Sequence, residues 1–199
     1  MKFSCRMIEG ALIVALLLTM VSCRKRTENQ TGGTDSTSAA MHQAPDASNR
    51  GMASATFGSV TVSINYGRPQ LKGRDMLGQA TDGMVWRMGM NEATEIKSDA
   101  DLKFGETLIP KGSYSLWMKK VSADQWHLVF NKKTGIWGHD HPAADDFAEA
   151  PLTMTTNPQS VETFTIELTA TNESTGAIKA MWGTALLSTE FMVSGGTAM

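Results

Sequence analysis

The sequence predicts an all-β protein: an antiparallel β-sandwich, jelly-roll-like or barrel-like, with about eight or nine strands and little helix. Three observations carry that expectation. Short runs with an apolar side chain at every second position recur from residue 56 to residue 193, the pattern of half-buried strands. Turn residues separate the runs at intervals of roughly 8–12 residues. Helical 3.6-residue periodicity is almost absent, and no longer internal repeat marks a propeller or solenoid.

Taken in order, the first strand is expected over residues 56–65, where Val60, Val62 and Ile64, followed by Tyr66, alternate with Thr and Ser. Gly67 and Pro69 end it. Residues 71–83 hold Gly73, Gly78 and Gly83 and read as a loop with one helical turn near 75–79. Residues 84–90 suit a short strand or an extended segment. The β-branched Thr94 and Ile96 place another strand at 93–98. Short strands at 102–104 and 107–109 flank a Gly105-Glu106 turn, and Pro110-Lys111-Gly112 reverses the chain. Residues 113–121 set Tyr114, Leu116 and Met118 on one face, with Trp117 on the outer one. Residues 125–131 set Trp126, Leu128 and Phe130 against His127 and Val129. Joined by a turn at 122–124, these two form a hairpin. After a turn at 132–138, residues 139–149 read as acidic and irregular, with one helical turn at 143–147. A strand at 150–156 is expected to break at Asn157-Pro158. Strands follow at 161–170, 177–182 and 185–193, with a turn at 172–176.

The residues before the sandwich read as an address. Lys2 and Arg6 precede an apolar run at 11–21, which has signal-peptide length and falls short of the roughly 20 residues of a membrane span. Ser22 stands directly before Cys23 at the exit of that run. This resembles the lipobox of bacterial lipoproteins, in which the Cys is acylated and becomes the new N-terminus. The expected organisation is a signal peptide at 1–22, a lipidated Cys23 with a flexible polar tether to residue 52, the sandwich at 53–193 and a loose tail at 194–199. The acyl chains on Cys23 would hold the protein to a membrane, on the outer-membrane or periplasmic side of a Gram-negative envelope.

Charge and cysteine content narrow the function classes. From Met52 onward the chain carries 9 Lys and 3 Arg against 16 Asp and Glu, a net charge of −4. A mildly acidic domain without a basic stripe argues against a nucleic-acid partner. Both cysteines, Cys5 and Cys23, precede the domain, so it has no disulfide and no thiolate for catalysis or zinc. There is no Gly-x-Ser-x-Gly elbow and no phosphate-binding glycine loop followed by a helix. No cofactor is implied.

One stretch, from Tyr66 to Thr94, breaks the strand pattern. It reads Tyr-Gly-Arg-Pro-Gln-Leu-Lys-Gly-Arg at 66–74 and Met-Val-Trp-Arg-Met-Gly-Met-Asn-Glu-Ala-Thr at 84–94, and it holds every arginine after Met52. Arg68, Lys72, Arg74 and Arg87 are candidate anion ligands, because a guanidinium offers a planar fork to carboxylate or phosphate. Trp86 would add a stacking face, and Asn91 and Glu92 follow closely. The alternative is structural: pairs such as Arg87 with Glu92 would lock a loop that lacks strand pairing. A second candidate is the His139-Asp140-His141 segment. Two His at i and i+2 on extended chain project to one side and would share a metal if Glu92, Asp145 or Asp146 supplied a third ligand; an exposed loop with no metal is the alternative. The five Trp (Trp86, Trp117, Trp126, Trp137 and Trp182) suit sheet packing, whereas an exposed row of them would suggest carbohydrate binding.

With Leu-Ile-Pro-Lys-Gly-Ser-Tyr-Ser-Leu-Trp at 108–117, Trp-His-Leu-Val-Phe-Asn-Lys at 126–132 and Trp137-Gly138, these strings resemble the bacterial family known as domain of unknown function 2911. The resemblance covers residues 55–193 and implies a secreted or lipid-anchored protein of Gram-negative bacteria, without implying an activity. Where the family pattern runs from Trp-Gly into a Tyr-containing loop, this chain has His139-Asp140-His141-Pro142, so a role read from that pair belongs to this chain alone. The leading functional reading is a non-enzymatic binding module for a small polar, anionic or sugar-like ligand or a protein partner. The alternatives are a metal-assisted envelope hydrolase using His139 and His141 with Glu92 as base, and a purely structural envelope protein.

Overall fold

The alternating side chains become ten strands within residues 49–194, the residues described by the computed structural model. The expected signal peptide, Cys23, nearly all of the tether and the tail beyond residue 194 lie outside the described residues. The strands are β1 (Arg50–Phe57), β2 (Val60–Gly67), β3 (Val85–Trp86), β4 (Thr94–Ser98), β5 (Asp101–Phe104), β6 (Thr107–Ile109), β7 (Gly112–Ser122), β8 (Gln125–Asn131), β9 (Asp146–Ala170) and β10 (Thr175–Ser194). They form one open antiparallel sheet in the order β1-β2-β4-β7-β8-β9-β10-β5-β6, with β3 beside β7. β9 is long enough to serve two neighbours. Its first part pairs with β8 and its remainder with β10.

The sheet folds over on itself as a sandwich. Just past β2, Leu71 N–H donates to Glu162 O (2.8 Å) and Phe164 N–H to Pro69 O (2.9 Å), so the end of one half bonds to the far part of β9. Inward positions of both halves meet in a single core. Val62 and Ile64 of β2, Leu116 and Met118 of β7, Trp126, Leu128 and Phe130 of β8, and Phe164 and Ile166 of β9 all belong to it. At one end Phe164 meets Tyr66, Trp86 and Trp182, and the Trp86 and Trp182 rings stack 5.3 Å apart.

The all-β antiparallel class is as the sequence predicts, and the hairpin of β7 and β8 falls where alternation places it. Several boundaries differ, and β9 begins at Asp146, inside the stretch expected to be irregular, because residues 146–149 already pair with β8. The single strand expected at 56–65 is two, because Gly58 (φ 60) and Ser59 form a two-residue hairpin turn between the paired Phe57 and Val60. The expected break at Asn157-Pro158 does not occur, and β9 runs through it. Thr156 pairs with Ala185 and Val161 with Gly183, so residues 157–160 bulge out of the ladder, and a proline there removes no ladder hydrogen bond. The strands expected at 177–182 and 185–193 are one strand, β10, kinked at Gly183, whose φ of 61 accommodates the bulge. The helical turn expected at 143–147 is a short 3-10 turn, Ala143–Asp145. Near residue 75 the chain makes a turn in which Asp75 Oδ1 accepts the Gly78 N–H.

A second, smaller cluster lies on the outer face of β7 and β8. Trp117 does project outward, but it is buried there with Ala93 and Val129, and Val85 and Ile136 pack on them. The loops carrying residues 83–94 and 132–146 therefore form a partial extra layer over the sheet.

The β7–β8 turn offers a stability test. Ala123 holds φ 38, a left-handed conformation that costs a non-glycine residue roughly 1–2 kcal/mol, and its side chain is exposed. Glycine removes that strain but adds about 0.4–1 kcal/mol of unfolded-state entropy. Ala123→Gly is thus expected to raise Tm by about 1–4 °C. A fall in the calorimetric Tm would contradict it.

Candidate functional site

The sequence from Tyr66 to Thr94 cannot continue as a strand, and its backbone shows why. Among the described residues four non-glycine residues have positive φ, and three are here: Lys72 (51°), Met88 (50°) and Asn91 (62°). Lys72 and Gly73 (φ 71) occupy the centre of a tight turn closed by Arg74 N–H to Leu71 O, 3.1 Å, with the paired positive φ values of a type I′ turn. Met88 is wholly buried, and its carbonyl accepts the hydroxyl of buried Thr94 at 2.7 Å. That bond holds the strained residue in place.

This turn brings three of the candidate cations together. Arg68, Lys72 and Arg74 line one surface pocket of about 270 Å³, with Asn49, Gln70 and Met90. Among the described residues no acidic side chain lines it. Arg74 is pinned to its own turn through Nε to Leu71 O (3.2 Å) and a terminal nitrogen to Gln70 O (3.4 Å). The exposed side chains of Arg68 and Lys72 make no hydrogen bond or ion pair among the described residues. Acids close in the fold are engaged with backbone: Glu162 Oε1 accepts the Lys72 N–H at 2.9 Å, and Asp75 accepts Gly78.

The other four candidates sit elsewhere. Trp86 stacks on Trp182 and packs on the core. Arg87 is half-buried and reaches two carbonyls, Gly89 O at 3.3 Å and Gly138 O at 3.0 Å. Asn91 O accepts the Gly138 N–H (2.9 Å), and Glu92 forms a β-bridge with Trp137. With Ala93 N–H on Ile136 O at 3.0 Å, these contacts clamp the segment 87–93 to the segment 136–138. The expected Arg87–Glu92 pair is not formed. Glu92 instead takes Arg50 at 2.9 Å, and Arg50 Nε also donates to Asn65 Oδ1 at 2.6 Å. Residue number alone hides Arg50. It lies in a polar stretch read as tether, 42 positions from its partner.

His139 and His141 have separate partners. Trp137 Nε1 donates to His139 Nε2 at 3.4 Å and the two rings stack. His141 Nε2 lies 2.8 Å from Asp146 Oδ1 and its ring rests against Trp117. Buried Asn131 donates to both Asp146 Oδ1 and Pro142 O. Among the described residues no three His, Cys, Asp or Glu side chains are grouped so as to hold a metal ion.

A trio missed by the sequence reading lies on the outer face of the hairpin. Lys119 and His127 are direct cross-strand partners, and both reach Glu149 of β9: Nζ at 3.0 Å and Nδ1 at 2.5 Å. The hairpin register alone would have shown the first two side by side. Partial burial pulls the Glu149 carboxyl upward, but its bonds to His127 and Lys119 prevail and leave it below the ordinary carboxylate range. A depressed folded value stabilises the fold above the unfolded pKa and loses that stabilisation as pH falls through the folded one. Glu149→Gln should therefore lower stability at pH 7, by less than about 1 kcal/mol for so exposed a group. In urea titrations the gap between the two proteins should begin to narrow as pH falls below the ordinary carboxylate value and close as pH falls through the folded pKa of Glu149. A gap that persisted under fully acidic conditions, with the carboxyl protonated in both states, would remove the electrostatic account.

No curated protein and no solved structure matches this chain. A family model does match, from residue 48 to residue 191, and its description is Protein of unknown function (DUF2911). The match takes in both the cation pocket and the two clamped loops. With well over half of its length matched, the chain belongs to the DUF2911 family.

Proposed function

We propose that this protein is a lipid-anchored component of a Gram-negative cell envelope whose β-sandwich is a non-enzymatic binding module for a small anion. The observation that carries the reading is the pocket in which, among the described residues, no acidic side chain is present and the side chains of Arg68 and Lys72 make no hydrogen bond or ion pair, beside a fixed Arg74. What needs an explanation is the clustering: three like charges around one pocket of a net-acidic domain repel one another, and an anion seated among them would relieve that repulsion. A guanidinium fork and an ammonium together suit the oxygens of a phosphate or carboxylate. The signal-like N-terminus with Cys23 supports placement in the envelope. The metal-assisted hydrolase has no comparable support, because His139 and His141 are engaged with different neighbours.

The test is thermal shift with inorganic phosphate. Phosphate stabilises many proteins by exclusion from their surface, so the informative quantity is the difference between wild type and an Arg68→Ala/Lys72→Ala variant. A site with Kd near 1 mM would give about 1.4 kcal/mol at 10 mM phosphate, or a Tm rise of about 3–6 °C. Both substituted side chains are exposed, so the variant should match wild type without phosphate. Equal shifts in the two proteins would end the reading.

A further inference from the structure

The cation pocket lies where the chain enters the sandwich. Asn49, the first described residue, lines it, and the Asn49 carbonyl accepts the Arg68 N–H at 2.8 Å. The only chain between that point and Cys23 is residues 24–48. At full extension those 25 residues span at most about 90 Å. A domain anchored through Cys23 thus stays within that reach of the bilayer, with its pocket on the same end as the anchor chain. The pocket's charge is opposite in sign to that of the domain as a whole. Two residues past Arg74 in the chain, Met76 is exposed, and an exposed apolar side chain close in sequence to cations suits the headgroup region of a membrane.

We propose that this face docks onto anionic lipid headgroups of the anchoring membrane, with Arg68, Lys72 and Arg74 holding headgroup phosphates and Met76 entering the interface. The inference rests on the anion-binding reading and on acylation of Cys23. The acyl chain confines the domain near the surface, so a weak phosphate contact is repeated at high effective concentration. Docking orients the sandwich with the Gly58–Ser59 turn outward. That turn lies at the other end of β1, about 25 Å away along the strand.

The experiment uses the full acylated chain in vesicles. The domain has no cysteine of its own, so Met76→Cys and Ser59→Cys each give one labelling position. A fluorophore at either is read against a headgroup-attached quencher. In phosphatidylcholine vesicles containing about a third phosphatidylglycerol, quenching at residue 76 is expected to be at least threefold greater than at residue 59. The contrast should vanish in pure phosphatidylcholine, in 0.5 M salt, and in Arg68→Ala/Lys72→Ala. Equal quenching at both positions in anionic vesicles, a contrast unchanged by the double substitution, or a chain without an acyl group by mass spectrometry overturns the proposal. The phosphate thermal shift separates the two readings. A phosphate shift without the quenching contrast overturns docking and leaves the anion pocket standing. The contrast without a phosphate shift supports docking and removes the small-anion ligand. Absence of both removes both.

Discussion

Gly67→Ala is expected to lower the unfolding free energy by about 3 kcal/mol, the upper end for overpacking a well-filled site. A β-carbon at residue 67 would stand 2.1 Å from the carbonyl oxygen of Met90 and 2.6 Å from its nitrogen. Both are backbone atoms, so no rotamer change relieves the clash. Either the end of β2 or the 88–90 segment must move. The second element is the weaker, because Met88 within it holds a strained positive φ, Asn91 directly after it is also at positive φ, and of these Thr94 holds only Met88. The expected result is a loss of the clamp between 87–93 and 136–138, with a lower urea midpoint and raised hydrogen exchange at the Ala93 and Gly138 amides. A midpoint within about 0.5 kcal/mol of wild type would show that this close approach is not what seats the loop.

That close approach explains why the fold was more legible than the site. A strand announces itself locally. The β7–β8 hairpin could be read because each residue's face follows from its own position, and the turn chemistry sits between the runs. β1 was hidden because Gly51, Met52, Ala53 and Ser54 offer weak alternation and little β propensity. Its place comes from pairing along the whole of β2. Asn157-Pro158 misled for the opposite reason. The turn signal is real, but it lies in a bulge that the ladder bypasses.

Sequence singled out the Tyr66–Thr94 segment correctly as the departure from the β pattern, and three of its four cations do share a pocket. The partners of the fourth could not be read from residue types. Arg87 meets backbone carbonyls, one of them 51 positions away, and a carbonyl carries no side-chain signature. The structure thus divides the segment in two. Residues 68–74 hold cations at the surface, and residues 86–93 spend theirs on holding the outer loops together.

This division makes Arg87 the sharpest test. Arg87→Ala is expected to destabilise the domain by about 2–3 kcal/mol, because hydrogen bonds from a charged donor are worth about 1.5–3 kcal/mol each and two carbonyls lose theirs together. Half-burial keeps the figure near the lower sum. For a domain of this size Tm should fall by about 5–10 °C. Arg87→Lys should recover little, because an ammonium lacks the fork that reaches both carbonyls. The phosphate-dependent rise in Tm should nevertheless survive in Arg87→Ala, since its side chain does not line the pocket. Arg68→Ala should behave in the reverse way, with normal stability and a lost phosphate response. If Arg87→Ala instead left Tm unchanged and abolished the phosphate shift, the guanidinium would belong to the ligand and not to the clamp. The same reversal would move the anion site from the turn at 72–73 to the outer loops.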